Sequence, residues 1–342
     1  MVRMTVLSSG SRGNSTVVAS SRTRVLVDAG LSCRELLKRM ADVGEDPYAL
    51  DAILITHEHQ DHVQGVAVLA RKLGIPVYFT EMTHRAWLRW MHPKKRMTYA
   101  EWLERRRQDQ AASPAVSLAA EAPQGSHRVG TMAAVAEAPS AEAVPEQRSS
   151  ETPREDLCDD DDTADREAGS TRDPAALPAV EFFEAGTPFS IGDIDVLPFT
   201  IPHDAADPVG FVFQAEGVRV GIATDLGYMP QNAKQALRRC DILMLESNHD
   251  LEMLRDGPYP WSVKQRVMSR VGHLSNEAAA EFLEKNYDGQ AVYVVLAHLS
   301  ESNNLPALAR VSAEWALRDR MSLLANKLVL AQQSHPLEPI SL

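Results

Sequence analysis

The chain has 342 residues, 44% of them hydrophobic, and a formal net charge of −12 at pH 7. That is enough chain for one large domain or two ordinary ones, with a hydrophobic content that suits a globular core. No run of about 18 apolar residues is present, which argues against a membrane-spanning helix, and no signal-peptide pattern follows Met1-Val2-Arg3. The three cysteines, Cys33, Cys158 and Cys240, are widely spaced and suggest no disulfide framework. The expectation is a soluble, cytoplasmic protein with reduced thiols and no membrane partner.

In chain order, Met4–Leu7, Thr16–Ala19 and Val25–Val27 read as short strands separated by Gly/Ser turns. The loop Ser8-Ser9-Gly10-Ser11-Arg12-Gly13-Asn14-Ser15 suits either an anion nest of backbone amides or a plain tight turn. Ser9, Ser11 and Asn14 are its candidate substrate contacts. Asp28 closes the third strand, where an Asp is commonly a turn former. Leu31–Val43 has helical spacing, with Cys33, Leu36, Leu37 and Met40 on one face. The apolar run Ala52-Ile53-Leu54-Ile55 then ends in His57-Glu58-His59-Gln60-Asp61-His62. Three imidazoles and a carboxylate at a strand end form a ligand set for zinc or a similar divalent cation, with room for two ions close together. The plainer reading is a surface loop that happens to be rich in histidine.

Val63–Leu73 reads as a helix, Val77–Thr80 as a strand and Met82–Arg107 as mostly helical. The last is basic, with Trp87, Trp90, Tyr99 and Trp102 interleaved among Arg85, Arg89, Lys94, Lys95, Arg96, Arg105, Arg106 and Arg107. It suits a nucleic-acid groove, or equally a solvated amphipathic pair of helices with Trp in the core; nucleic-acid contact is preferred. Residues 109–178 contain no Phe, Trp or Tyr. They carry fifteen acidic and five basic residues, so ten of the twelve net negative charges lie there. Such a segment buries too little apolar surface to offset its ordering entropy, and it is expected to be a disordered, acidic, Ala/Pro-rich insertion. Without it the chain is near neutral, which leaves room for a local basic patch.

Beyond the insertion, Val180–Glu184, Pro188–Ile191, Ile194–Pro198, Gly210–Ala215 and Val218–Ala223 read as strands. Ile242–Leu245 and Val292–Leu296 read as buried strands, and Ser275–Lys285 and Leu305–Arg320 as helices. His203, Asp225 and His298 each follow a strand-like run, as His57 does, and are further candidate ligands. In Gly272-His273-Leu274-Ser275-Asn276, Ser275 resembles an N-cap, which sets His273 in the loop before a helix. Lys264, Arg266 and Arg270 precede it as candidate phosphate contacts. Glu246-Ser247-Asn248-His249-Asp250 also opens at a strand end, without a firm role; His249 reads as a rim residue or one behind a ligand. His84, His92, His127 and His335 read as surface residues. Periodicity by itself gives a mixed α/β protein.

The pattern His57-x-His59-x-Asp61-His62 resembles the signature of the metallo-β-lactamase-fold hydrolases. With Ser8–Ser15, Asp28-Ala29-Gly30, Gly272–Asn276 and Ala297-His298-Leu299-Ser300, the chain is similar to the nuclease-like YycJ/WalJ subgroup, over roughly 1–108 and 179–335. The resemblance implies a four-layer αββα sandwich, with 1–108 and 179–342 forming a single metallo-hydrolase domain. It implies two divalent ions, zinc or manganese. His57, His59 and His203 would bind one, Asp61, His62 and His298 the other, and Asp225 would bridge them. Asp28 would hold a ligating histidine by its other nitrogen.

The implied catalyst is a metal-bridged hydroxide, with Asp61 orienting or deprotonating the water and His273 facing the scissile phosphate. Asn276, beside His273, is a further candidate contact. The expected function is a phosphodiesterase, a DNA exonuclease. The alternative is hydrolysis of a small molecule: a cyclic phosphodiester, a lactone, a thioester or a β-lactam. A di-iron redox protein of this fold is disfavoured because its members carry Glu where this chain has His59. A non-catalytic scaffold is disfavoured by the complete ligand set. Oligomeric state is not indicated.

Overall fold

The computed structural model describes residues 1–93, 104, 173–318 and 327–342, and its apolar runs build two seven-stranded sheets. The first contains β1 (Arg3–Ser8), β2 (Ser15–Ala19), β3 (Arg24–Val27), β4 (Ala52–Leu54), β5 (Val77–Phe79) and β6 (Val180–Phe182). The second contains β7 (Phe189–Ile191), β8 (Ile194–Thr200), β9 (Val209–Ala215), β10 (Val218–Ala223), β11 (Ile242–Glu246), β12 (Tyr293–Ala297) and β13 (Lys327–Leu330). A last strand, β14 (Ile340–Ser341), returns to the first sheet beside β1. The two sheets repeat one plan. Each begins as an antiparallel meander, β1-β2-β3 or β7-β8-β9-β10. Each continues as parallel strands, β3-β4-β5-β6 or β10-β11-β12-β13.

Parallel neighbours need crossovers, and here these are helical. On the first sheet they are α1 (Cys33–Asp42), α2 (Gln60–Val63), α3 (Val66–Leu73) and α4 (Glu81–Met91). On the second they are α5 (Gln231–Ala236), α6 (Leu251–Asp256), α7 (Trp261–Val267), α8 (Asn276–Lys285) and α9 (Pro306–Leu317). Ser275 caps α8 as the sequence suggests, accepting from the Ala278 N–H, and Ser32 accepts from the Glu35 N–H at α1.

The period-two alternation of the strands sorts side chains into separate cores. Val25, Val27, Leu54, Ile242 and Met244 point between the sheets, where they join Phe211 and Phe213. Leu26 and Ile53 point outward beneath α1, α3 and α4, against Leu36, Met40, Leu69 and Trp87. Leu243 and Leu245 point outward on the second sheet, against Leu237, Phe282, Leu283 and Ala313. Helix, sheet, sheet and helix therefore form the four-layer αββα sandwich. The inner parallel strands β4, β11 and β12 are apolar on both faces, which explains their unbroken hydrophobic runs.

Several local expectations are corrected. The helix expected over Val63–Leu73 begins inside the histidine motif as α2, and restarts as α3 after Gly65. A Cβ on Gly65 would lie 2.2 Å from the Leu31 carbonyl oxygen. β13 and β14 had no clear sequence signal. Trp87 is wholly buried and stacks on Phe79 (ring centroids 5.6 Å apart), so it belongs to the core rather than to a nucleic-acid platform. The remainder of the basic stretch beyond residue 93, apart from residue 104, lies outside the described residues. So does 109–172, the greater part of the expected insertion, with His127 and Cys158. Residues 173–178, placed in that insertion by composition, lie on the body: Ala175 is buried, and Arg71 donates to the carbonyls of Pro174 and Ala176. His84 is half-buried against the rings of Phe79 and Trp87 rather than on the surface.

Candidate metal centre

The parallel strands of both sheets deliver their ends to one place, the position where open α/β sheets build sites. Asp28 follows β3, His57 lies just beyond β4, Asp225 just beyond β10, Glu246 ends β11 and His298 follows β12. Three of these are non-glycine residues in the left-handed region: Asp28 at φ 60°, Asp225 at φ 61° and His298 at φ 55°. Such backbone costs on the order of 1–3 kcal/mol per residue. Here it turns the chain sharply at the strand end and swings each side chain toward the common centre.

The segment after β4 supplies the other groups. His57 is buried, His59 is the N-cap of α2, and Asp61 and His62 lie in the first turn of that short helix. The Nδ1 of His59 is 3.2 Å from the Nε2 of His203. The Nε2 of His62 lies 3.3 Å from an Asp225 oxygen and 3.6 Å from an Asp61 oxygen. The same Asp61 oxygen is 3.7 Å from the Nε2 of His298. All seven residues named from the sequence thus converge. They form overlapping groups, His57/His59/His203, His57/His62/Asp225 and Asp61/His62/His298, whose ligand atoms lie within 4.8 Å of one another. Asp225 lies 3.3 Å from His62 and 3.4 Å from His298, and its oxygen also falls in one group with His57.

Two buried carboxylates hold this array from behind. Asp28 accepts from the Thr56 N–H (2.8 Å) and hydroxyl (2.9 Å), and its Oδ2 lies 2.8 Å from the Nδ1 of His62. Glu246 does the same for the second sheet. Its Oε1 meets the Nδ1 atoms of both His273 and His298 at 2.9 Å, and its Oε2 accepts from the N–H groups of Leu226 and Leu274. Those four bonds use the acceptor capacity of Glu246, so it is a clamp rather than a ligand, although it lies among groups that could hold a metal. Sequence reading left Glu246 without a role. The available signal was an acidic residue closing an unbroken apolar strand beside other strand-end ligands.

The electrostatics follow from burial and crowding. Burial, reinforced by neighbouring histidines, pushes the His57 imidazolium well below its usual range, and burial also lowers His203. Burial opposes charge on His62 and His298 too, but nearby carboxylates outweigh it: His62 is raised well above its ordinary value and His298 to about 10. In return, His298 and His62 hold Asp225 well below the carboxylate range despite its burial. His273 and His298 likewise hold Glu246 at about 2.

The Nε2 atoms of His57 and His298 and one oxygen of Asp225 are buried with no hydrogen-bond partner. Buried polar atoms are normally satisfied. Three such donors of electron pairs, N, N and O, pointing into one histidine–carboxylate cluster fit a divalent cation.

A cleft of about 320 Å³ opens on the array, lined among others by Ser11, His59, Asp61, Asp225, Tyr259, Arg266, His273 and His298. Of the expected substrate contacts only Ser11 lies there. Ser9 is buried and accepts from the His298 N–H at 2.8 Å, so it places the backbone of that residue. Asn14 bonds Gly10 and donates to an Asp61 oxygen at 3.2 Å. Asn276 is buried, joined to Ser247 and Asn304 behind the wall. His249 is also buried, not on the rim, and burial lowers it to about 4. Lys264 is buried with its Nζ on the Arg255 carbonyl, and Arg270 lies over the Tyr228 ring at 4.5 Å, so of the three basic residues Arg266 alone lines the cleft.

The sandwich and its strand-end cluster of histidines and aspartates define a metal-binding α/β protein. The chain belongs to the metallo-β-lactamase superfamily, whose family model matches residues 9–285. Within it, the chain falls in the WalJ/YycJ subgroup. It is 30% identical over 310 residues to the exodeoxyribonuclease WalJ of Streptococcus pneumoniae, covering 91% of this chain and 86% of that one. It is 30% identical over 321 residues to the exodeoxyribonuclease YycJ of Bacillus anthracis, covering 93% and 90%. Among solved structures, the metallo-β-lactamase fold protein YhfI from Bacillus subtilis aligns with a TM-score of 0.53 at 13% identity, over 99% of this chain and all of that one. That likeness concerns the fold alone.

Proposed function

We propose that the protein is a metal-dependent exodeoxyribonuclease. His57, His59 and His203 would hold one divalent ion, Asp61, His62 and His298 a second, with Asp225 available to both; zinc or manganese suits this ligand set. The observation that carries the phosphodiesterase reading is His273. Its Nδ1 is tied to Glu246, it lines the same cleft as Asp61 and Asp225, and it is not needed to complete either ligand set. Two relatives named exodeoxyribonuclease, aligned over nine-tenths of the chain, supply the substrate class.

Divalent ions bound there would lower the pKa of water and neutralise charge on a phosphoryl oxygen. The remaining work falls to the chain. Asp61, steadied by Asn14, orients the attacking water and receives its proton. His273, aimed by Glu246, offers Nε2 to the phosphate or to the departing oxygen. Arg266, ion-paired with Asp204, lines the same wall.

No helix among the described residues is long and apolar enough to cross a membrane. The free thiols Cys33 and Cys240 support a cytoplasmic setting.

The test is hydrolysis of end-labelled duplex DNA with added Mn²⁺ or Zn²⁺, by wild type beside His59→Ala and His273→Ala. Wild type should degrade DNA from its ends. His59→Ala should lose metal and activity together. His273→Ala should keep its metal while kcat falls about 10²–10⁴-fold. Cleavage of small esters or cyclic phosphodiesters with DNA left intact would replace this reading by that of a small-molecule hydrolase.

A further inference from the structure

Between α6 and α7 the chain reads Gly257-Pro258-Tyr259-Pro260-Trp261. A proline fixes φ on each side of Tyr259, and the residue before a proline is itself held extended. The tyrosine is therefore presented with little backbone freedom. It lines the cleft together with Asp61, Asp225 and His273, and Arg266 of α7 lines it as well. Trp261, which opens α7, is 62% exposed. The hydrolytic step uses neither ring, and a large aromatic left in water forgoes the burial that normally holds it.

A rigid aromatic in one cleft with the His273 imidazole, and with an Arg266 guanidinium that is ion-paired to Asp204, matches the parts of a nucleotide: the base stacks and the phosphate meets the imidazole. The cleft volume of about 320 Å³ is at the low end for small-ligand sites, and suits one nucleotide rather than a paired helix.

We infer that Tyr259 is the stacking surface for the terminal base of an unpaired DNA end. The inference rests on the exodeoxyribonuclease reading and names the form of substrate the site admits. Duplex ends must then fray before they enter.

The experiment compares wild type, Tyr259→Phe, Tyr259→Leu, Tyr259→Ala and Trp261→Ala on single-stranded oligonucleotides. Their terminal nucleotides are either normal or abasic, with metal content and far-UV CD checked for each variant. On normal ends Tyr259→Ala should raise KM about tenfold with little change in kcat. Tyr259→Phe should match wild type, and Tyr259→Leu should behave like Tyr259→Ala. Trp261→Ala, at an exposed aromatic outside the cleft lining, should match wild type. Wild type should lose the same factor on abasic ends, where Tyr259→Ala should show no further loss. A KM for Tyr259→Ala or Tyr259→Leu equal to wild type, or equal discrimination against abasic ends in wild type and variant, would overturn the inference while leaving the nuclease reading intact. Failure of wild type to cut any DNA would remove both.

Discussion

Asp28 and Glu246 are counterparts across the two sheets: each is a buried carboxylate at the end of a parallel strand, and each fastens a site histidine by its Nδ1. Orientation of a ligand by such a partner is worth roughly 10–100-fold in metal affinity or activity. Glu246→Gln leaves one oxygen where four donors converge, and turns an amide N–H₂ toward some of them. The variant should lose about 1–3 kcal/mol of stability in urea titration and most of its activity. Asp28→Asn should weaken metal binding through His62, read as a lowered metal content after dialysis.

Metal removal should destabilise the fold. The cluster joins strand ends of both sheets, and its buried His57 Nε2, His298 Nε2 and Asp225 Oδ2 atoms have no hydrogen-bond partner. A ligand at 100 times its Kd adds about 2.7 kcal/mol to a native state that alone binds it. Thermal melts should therefore show Tm falling by several degrees on chelation and recovering with Mn²⁺ or Zn²⁺. An identical Tm with and without chelator would contradict a structural coupling.

Gly30 is where the backbone behind the metal loop packs most closely. A Cβ there would lie 1.7 Å from the Asp61 carbonyl oxygen and 2.6 Å from the Asn14 nitrogen. Gly30→Ala must push Asp61 and its helix outward. The expected result is about 1–3 kcal/mol of destabilisation, the usual range for overpacking, together with loss of activity. Gly44→Ala is the contrasting control for activity. Gly44 has open space around it at φ 72°, so its cost is confined to the backbone.

Cys240 is wholly buried against Leu237 and the second sheet, and burial pushes its thiol up to about 12 from 9.0. The unfolded chain ionises this thiol above pH 9 and the native protein does not. The preference for the native state is thus fully present below pH 9 and is lost as pH rises toward 12. In native protein at pH 8, iodoacetamide followed by peptide mapping should leave Cys240 unmodified. It should label after unfolding.

The seven candidate ligands were legible in the sequence because four of them lie within the six residues 57–62 just past an apolar strand, and His203, Asp225 and His298 each follow a strand-like run. The sandwich was legible only through resemblance, since short strands buried on both faces carry no period that separates sheet from helix. Packing overruled the sequence at Trp87, where an aromatic among basic residues became core, and at Asn276, which turned inward to Asn304. Glu246 was silent for a related reason: its four partners lie 20 to 52 residues away along the chain. Local residue chemistry determined what this protein can bind. The meeting of strand ends from two separate sheets, which no short stretch encodes, decided which carboxylates clamp, which face the cleft, and where Tyr259 stands.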